Sequence, residues 1–193
     1  MKLTERSVSD LLAAFRSSDP TPGGGSAAAL SGAVGASLLA MVAGLARPQA
    51  DSDDDVARLQ QAGTRCVDLA LQLERLIDRD AEAYDLVVGA YRLPKATDEE
   101  KAARTAAIQA ALKAATEAPL EVMRLCREAL TLAPVVGSLG NANASSDVKV
   151  AGGLLRAGLD GARENVEINL GSVKDVSYVQ RVRDESMALG ADS

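Results

Sequence analysis

Ala27-Ala28-Ala29-Leu30-Ser31-Gly32-Ala33-Val34-Gly35-Ala36-Ser37-Leu38-Leu39-Ala40-Met41-Val42-Ala43-Gly44-Leu45-Ala46 runs for twenty residues without a charged side chain. A run of about 20 apolar residues is long enough to cross a bilayer, but the content of this one argues otherwise. Eight of the twenty are Ala, three Gly and two Ser, which leaves only Leu30, Val34, Leu38, Leu39, Met41, Val42 and Leu45 as larger apolar side chains. Ala and Gly yield little transfer free energy. Their spacing at Ala28/Gly32 and Ala36/Ala40/Gly44 instead lets another helix approach closely. Such spacings also occur in membrane dimers, yet no positive flank or aromatic belt accompanies this one. The stretch reads as a helix buried on all sides of a soluble bundle, packed against a partner subunit.

Upstream, Val8, Leu11, Leu12 and Phe15 set a helical period over about residues 7–17. That segment ends in Ser18-Asp19-Pro20-Thr21-Pro22-Gly23-Gly24-Gly25-Ser26, the strongest turn signal in the chain. The prolines stiffen the approach, the glycines permit positive φ, and Ser26 is placed to cap the following helix. Downstream of Pro48, Asp51-Ser52-Asp53-Asp54-Asp55 gives an acidic first turn, favourable at the positive end of a helix. The stripe Val56, Leu59, Cys66, Leu69, Leu73, Leu76, Tyr84, Val87, Val88 and Tyr91 then holds the period until Leu93-Pro94. Thr97-Asp98-Glu99-Glu100 is a capping box opening a long Ala-rich helix to about Leu132, kinked at Pro119. Residues 134–144 read as a break. Ser146-Asp147 caps a helix to about Leu170, and a short helix covers about Val173 to Leu189.

The composition agrees with this reading. Of 193 residues 47% are apolar and 2% aromatic; strands favour β-branched and aromatic residues, so the expected fold is all-α, a single domain (1–193) of long bundled helices that dimerises through small-residue packing. There is no histidine, which removes Ser-His-Asp and Cys-His nucleophile systems, Glu-x-x-His di-iron sites and the usual catalytic zinc sites. Proton transfer is left to carboxylates, Lys, Tyr, Cys, backbone groups or water. Net charge is −6, which disfavours nucleic acid and anionic membranes as partners. Cys66 and Cys126 have no metal-binding spacing, and Met1-Lys2-Leu3-Thr4 does not begin a signal peptide, so a reduced, cytoplasmic protein is expected.

Four clusters could carry chemistry. Gly23-Gly24-Gly25-Ser26 opens a helix, where free N–H groups and the dipole suit an anion or developing negative charge. It lacks the Lys-Ser/Thr of a phosphate-binding Walker loop, and a plain inter-helix turn would explain it equally well. In Asp78-Arg79-Asp80-Ala81-Glu82-Ala83-Tyr84-Asp85, Asp80 and Tyr84 share the apolar face, while Asp78, Glu82 and Asp85 share another. A carboxylate on the core side has a perturbed pKa unless paired, so Asp80 is singled out, with a structural salt bridge as the alternative. Arg92-Leu93-Pro94-Lys95 presents two cations at a helix end, as a carboxylate clamp or a simple C-cap. Gly140-Asn141 through Ser146-Asp147 is a polar helix start, and Asn165 and Asn169 lie four apart among Val166, Ile168 and Leu170. Such amides need partners, from another helix or a ligand.

Taken in order, Pro22-Gly23-Gly24-Gly25-Ser26-Ala27-Ala28-Ala29, Asp80-Ala81-Glu82-Ala83-Tyr84, Arg92 to Lys101, Ala118-Pro119-Leu120, Gly140-Asn141 with Ser146-Asp147, and Asn165 to Leu170 resemble one family. It is the cyclodeaminase/cyclohydrolase family of one-carbon folate metabolism. The resemblance covers about Leu11 to Arg183 and is similar to the stand-alone form, with no formiminotransferase portion. It implies an all-α dimer with a folate pocket near the subunit interface and no cofactor or metal beyond the tetrahydrofolate substrate.

Two reactions are implied. Formimidoyltetrahydrofolate closes to methenyltetrahydrofolate with loss of ammonia, or water opens methenyltetrahydrofolate to formyltetrahydrofolate. The expectation leans to the second. Within that frame Asp80 and Lys95 are the expected catalytic residues, Asp80 handling the proton and Lys95 binding a folate carboxylate or assisting proton delivery. Gly23, Gly24, Gly25 and Ser26 form the pocket wall, Tyr84 borders it, and Arg92 binds the anionic tail. Asp147, or else Asn141, accepts the donors of the pterin edge. The competing readings are a folate-binding homologue without turnover and a purely structural helical dimer.

Overall fold

The computed structural model describes residues 2–46 and 48–191. Met1, Arg47 and the last two residues of the expected 1–193 domain lie outside them. Among the described residues there are six α-helices, α1 (Val8–Phe15), α2 (Gly24–Gly44), α3 (Asp53–Tyr91), α4 (Asp98–Leu139), α5 (Ser145–Leu170) and α6 (Val176–Gly190), and no strand. The fold is the all-α bundle that the composition implied.

Local chemistry sets most helix ends. Ser7 Oγ accepts from Asp10 N–H and Ser52 Oγ from Asp55 N–H, both at 3.1 Å. At α4 the capping box is complete, with Glu100 N–H donating to Thr97 Oγ1 and Thr97 N–H to Glu100 Oε2, each at 3.2 Å. Asp175 Oδ1 accepts from Tyr178 N–H at 3.1 Å, so α6 starts at Val176 rather than Val173.

Further expectations need correction. α2 begins at Gly24, with Gly23 as N-cap, and Ser26 Oγ is turned away from a capping role. No glycine has positive φ; the Gly23–Gly25 run serves close approach instead. α4 continues through both prolines to Leu139, so the break is confined to Gly140 and Asn141. Pro134 is exposed, and water can serve the carbonyl its missing N–H leaves free. Finally, α5 starts at Ser145 straight from a 3-10 turn, Ala142–Ala144, without a side-chain cap from Ser146 or Asp147.

Although long and apolar enough by length and composition to cross a membrane, α2 is the central strut of the bundle, with Ala29, Ala36 and Leu39 fully buried; it is not buried on all sides, since Val34 and Met41 remain exposed. It runs antiparallel to both α3 and α5, because Gly25 faces Asp80 while Gly63 faces Ala43, and Gly24 faces Asn165 while Gly35 faces Ala151. The α2–α5 approach is nearly backbone to backbone: a Cβ on Gly158 would lie 2.9 Å from the Ala28 carbonyl oxygen. Leu69, Leu73, Leu120, Met123 and Leu155 fill the surrounding core, and truncating any of them to Ala costs about 2–5 kcal/mol. Asp78, on the face away from Asp80, is not simply solvated. Its carboxylate accepts from Leu3 N–H at 2.6 Å and Thr4 Oγ1 at 2.7 Å, holding the N-terminal segment to α3.

Candidate functional site

At the end of the bundle where α2 begins, a cavity of about 340 Å³ is bounded by the Pro20–Gly25 loop and helix start, Asp80, Tyr84 and Val87 of α3, Leu112 and Ala115 of α4, and Asn165 and Asn169 of α5. Ligand pockets commonly measure about 300–1,000 Å³. This one has room for a fused bicyclic ring but not for a whole folate, whose tail would have to run outward.

Among the described residues Asp80 is the only charged one in its lining. The first-turn N–H groups of a helix have no intrahelical acceptor, and the glycines bring those of α2 up against this carboxylate: a Cβ on Gly25 would overlap it. Ser26 Oγ lies 3.2 Å from Asp80 Oδ2 and 2.9 Å from the Ile77 carbonyl oxygen. Its single proton serves one at a time. Burial in the half-closed cavity raises the Asp80 pKa above the usual carboxylate range, and this outweighs the opposing pull of the Ser26 hydroxyl and N–H, which favour the ionised form. A carboxyl group so placed can both take and return a proton.

Asn165 and Asn169 are held by backbone carbonyls. Asn165 Nδ2 donates to Gly161 O at 2.8 Å, one turn back in α5, and Asn169 Nδ2 donates to Ala115 O at 2.9 Å, across to α4. The second bond has a cause in the sequence. Residue 119 is proline, so the Ala115 carbonyl, four residues earlier, has no helical donor. Pro119 is buried, unlike the exposed Pro134, and Asn169 supplies the missing donor.

The thiols are not nucleophiles here. Cys66 and Cys126 are fully buried, and burial pushes their pKa values up to about 11 and about 12, leaving them neutral at pH 7.

Of the expected site residues, Gly23, Gly24, Gly25, Asp80 and Tyr84 line one cavity, and Ser26 supports it from behind. Arg92 and Lys95 are exposed in the α3–α4 connection. Arg92 lies twelve residues beyond Asp80, about 18 Å along the helix, and neither cation borders the cavity. Asn141 and Asp147 lie at the other end of the bundle. Asn141 Nδ2 donates to Ala46 O at 2.6 Å beyond the end of α2, and its Oδ1 accepts from Asn143 N–H at 2.9 Å. Asp147 sits eighteen residues before Asn165 on α5, about 27 Å away. A single protomer therefore does not bring either residue to a ligand at Asp80. The missed lining residues are Pro20, Thr21, Val87, Leu112 and Ala115, together with the amides Asn165 and Asn169, which had been noticed without being placed in the site.

The family profile described as formiminotransferase-cyclodeaminase matches residues 7–188. A methenyltetrahydrofolate cyclohydrolase of Methylorubrum extorquens is 44% identical over 186 residues, which is 96% of this chain and 89% of that protein. The formimidoyltransferase-cyclodeaminase of Rattus norvegicus is 35% identical over 170 residues, 87% of this chain, and the match spans only 31% of that longer protein. The crystal structure of formiminotetrahydrofolate cyclodeaminase from Thermotoga maritima superposes with a TM-score of 0.84 at 26% identity, covering 97% of this chain and 90% of that one.

Proposed function

The chain belongs to the formiminotransferase-cyclodeaminase family, and on that footing we propose that it hydrolyses methenyltetrahydrofolate to formyltetrahydrofolate. One observation carries the chemistry: a carboxyl group of raised pKa, Asp80, is the only charge in a cavity of ring size. The choice of hydrolysis is supported by the 44% identity with the Methylorubrum cyclohydrolase along nearly the whole of both chains.

Methenyltetrahydrofolate carries a positive amidinium carbon between N5 and N10. An anionic Asp80 in a cavity free of cations stabilises that charge and takes a proton from the attacking water. Attack gives a neutral tetrahedral carbon and a protonated Asp80. The carboxyl group then returns its proton to N5 as the C–N5 bond breaks, and the hydroxyl loses its own proton to solvent as the formyl group forms. One proton is released overall. Ser26 supports the ionised form of Asp80 between these steps, and the α2 N-terminus holds the carboxylate in place. Arg92 and Lys95, outside the cavity, would meet the carboxylates of the tail.

A second reading uses the same atoms. In formimidoyltetrahydrofolate, N10 attacks the amidine carbon and its proton passes to the imino nitrogen; a protonated Asp80 then supplies the further proton on which ammonia departs. The Thermotoga and Rattus relatives support it. The reading extends to a cytoplasmic homodimer that binds no nucleic acid. Val34 and Met41 of α2, beside Val67 and Leu71 of α3, give it an exposed apolar face, and a second protomer is the means by which Asn141 or Asp147 would reach a site. Supplying each folate separately and recording methenyl consumption and ammonia release decides between the reactions. Consumption of methenyl without ammonia chemistry supports the hydrolase, ammonia release with methenyl formation supports the cyclodeaminase, and neither would defeat both.

A further inference from the structure

Resting on that reading, we propose that Asn165 and Asn169 are the residues that recognise the pterin ring, their amide oxygens accepting hydrogen bonds from its donor edge. A carbonyl oxygen only accepts, so the bonds to Gly161 O and Ala115 O oblige each Nδ2 to face the backbone. The planar amide then turns each Oδ1 the other way. Both residues line the Asp80 cavity, and among the described residues each amide takes part in a hydrogen bond only as a donor. Two fixed acceptors thus stand one helical turn apart, about 6 Å along the axis, in a cavity whose only charge is a carboxylate. Together with the Asp80 carboxylate they suit a ligand that carries several N–H donors. The 2-amino group, N3–H and N8–H of a tetrahydropterin are such donors, and they lie along the edge of a ring that the volume admits. The role first given to Asp147 or Asn141 therefore falls to residues already at the site.

Sites built to accept from a ligand N–H discriminate strongly against an analogue lacking it, since their acceptors are then stranded. The test measures dissociation constants of the full chain for tetrahydrofolate and for 2-desamino-tetrahydrofolate, in the wild type and in Asn165→Leu and Asn169→Leu. The wild type is expected to prefer the amino ligand by about tenfold or more. At least one variant should lose most of that preference, raising KM for methenyltetrahydrofolate more than it lowers kcat. A variant that merely loosened the fold would weaken both ligands alike and keep the ratio. If a Leu variant fails to fold, Asn165→Ser keeps a hydroxyl that donates to Gly161 O but falls short of the ring, and its ratio serves instead. A wild type that turns over the folate yet binds both ligands equally overturns the proposal, as do folded variants that keep the wild-type ratio. Absence of tetrahydrofolate binding and turnover in the wild type would instead strike the proposed function.

Discussion

Gly25 lies so close to Asp80 that even a methyl group on its α-carbon would occupy the space of the carboxylate. The glycine run thus serves to bring the free N–H groups of the α2 N-terminus up to a half-buried acid, and the backbone needs no unusual φ to do it. Gly25→Ala must displace Asp80. Misplacing a catalytic group by about 1 Å can cost 100-fold in rate, so a loss of that order is expected in kcat/KM, with the helical circular dichroism retained. The decay of methenyltetrahydrofolate absorbance measures it.

Ser26→Ala tests the balance of forces on the same carboxyl group. The Ser26 hydroxyl favours ionised Asp80 and so opposes the upward push of burial. Its removal raises the Asp80 pKa further. The limb of the kcat/KM–pH profile that reports ionisation of the base therefore moves to higher pH, and a profile that stays in place would show that Ser26 does not govern Asp80.

The bundle was largely legible in the sequence because helix signals are local. The acidic triplet Asp53–Asp55, the Thr97/Glu100 box and the uncharged run of α2 each carry their own physical cause. Pro134 misled, because exposure to water lets a helix tolerate a missing hydrogen bond, and exposure is a property of the assembled bundle. Asp80 and Tyr84, singled out by their coincidence with an apolar stripe, do line one cavity. Asn141 and Asp147 stand at the other end of the protomer, which the sequence does not reveal, since nothing local says that α5 runs antiparallel to α2 and carries its start away from Gly25. A signal for Asn169 did exist: a proline inside a buried helix frees a carbonyl four residues earlier, and a nearby amide is what can satisfy it.

Stability gives an independent view of Asp80. Its pKa is raised in the folded protein, so the ionised form is penalised there relative to the unfolded chain. That cost is present at neutral pH and disappears as pH falls through the folded pKa. Asp80→Asn should accordingly have a higher Tm than wild type at pH 7.5, by an amount that shrinks as the pH approaches the ordinary carboxylate range. Thermal unfolding across pH checks the trend; a Tm below wild type at pH 7.5 would mean that the carboxylate is held by stabilising contacts rather than strained by burial.

Hydrolysis by this mechanism depends on a single proton carrier, and the same variant addresses it most directly. With methenyltetrahydrofolate as substrate, folded Asp80→Asn is expected to lose about 100-fold to 10,000-fold in kcat, the usual contribution of general acid–base catalysis. Hydrolysis at close to the wild-type rate would contradict it.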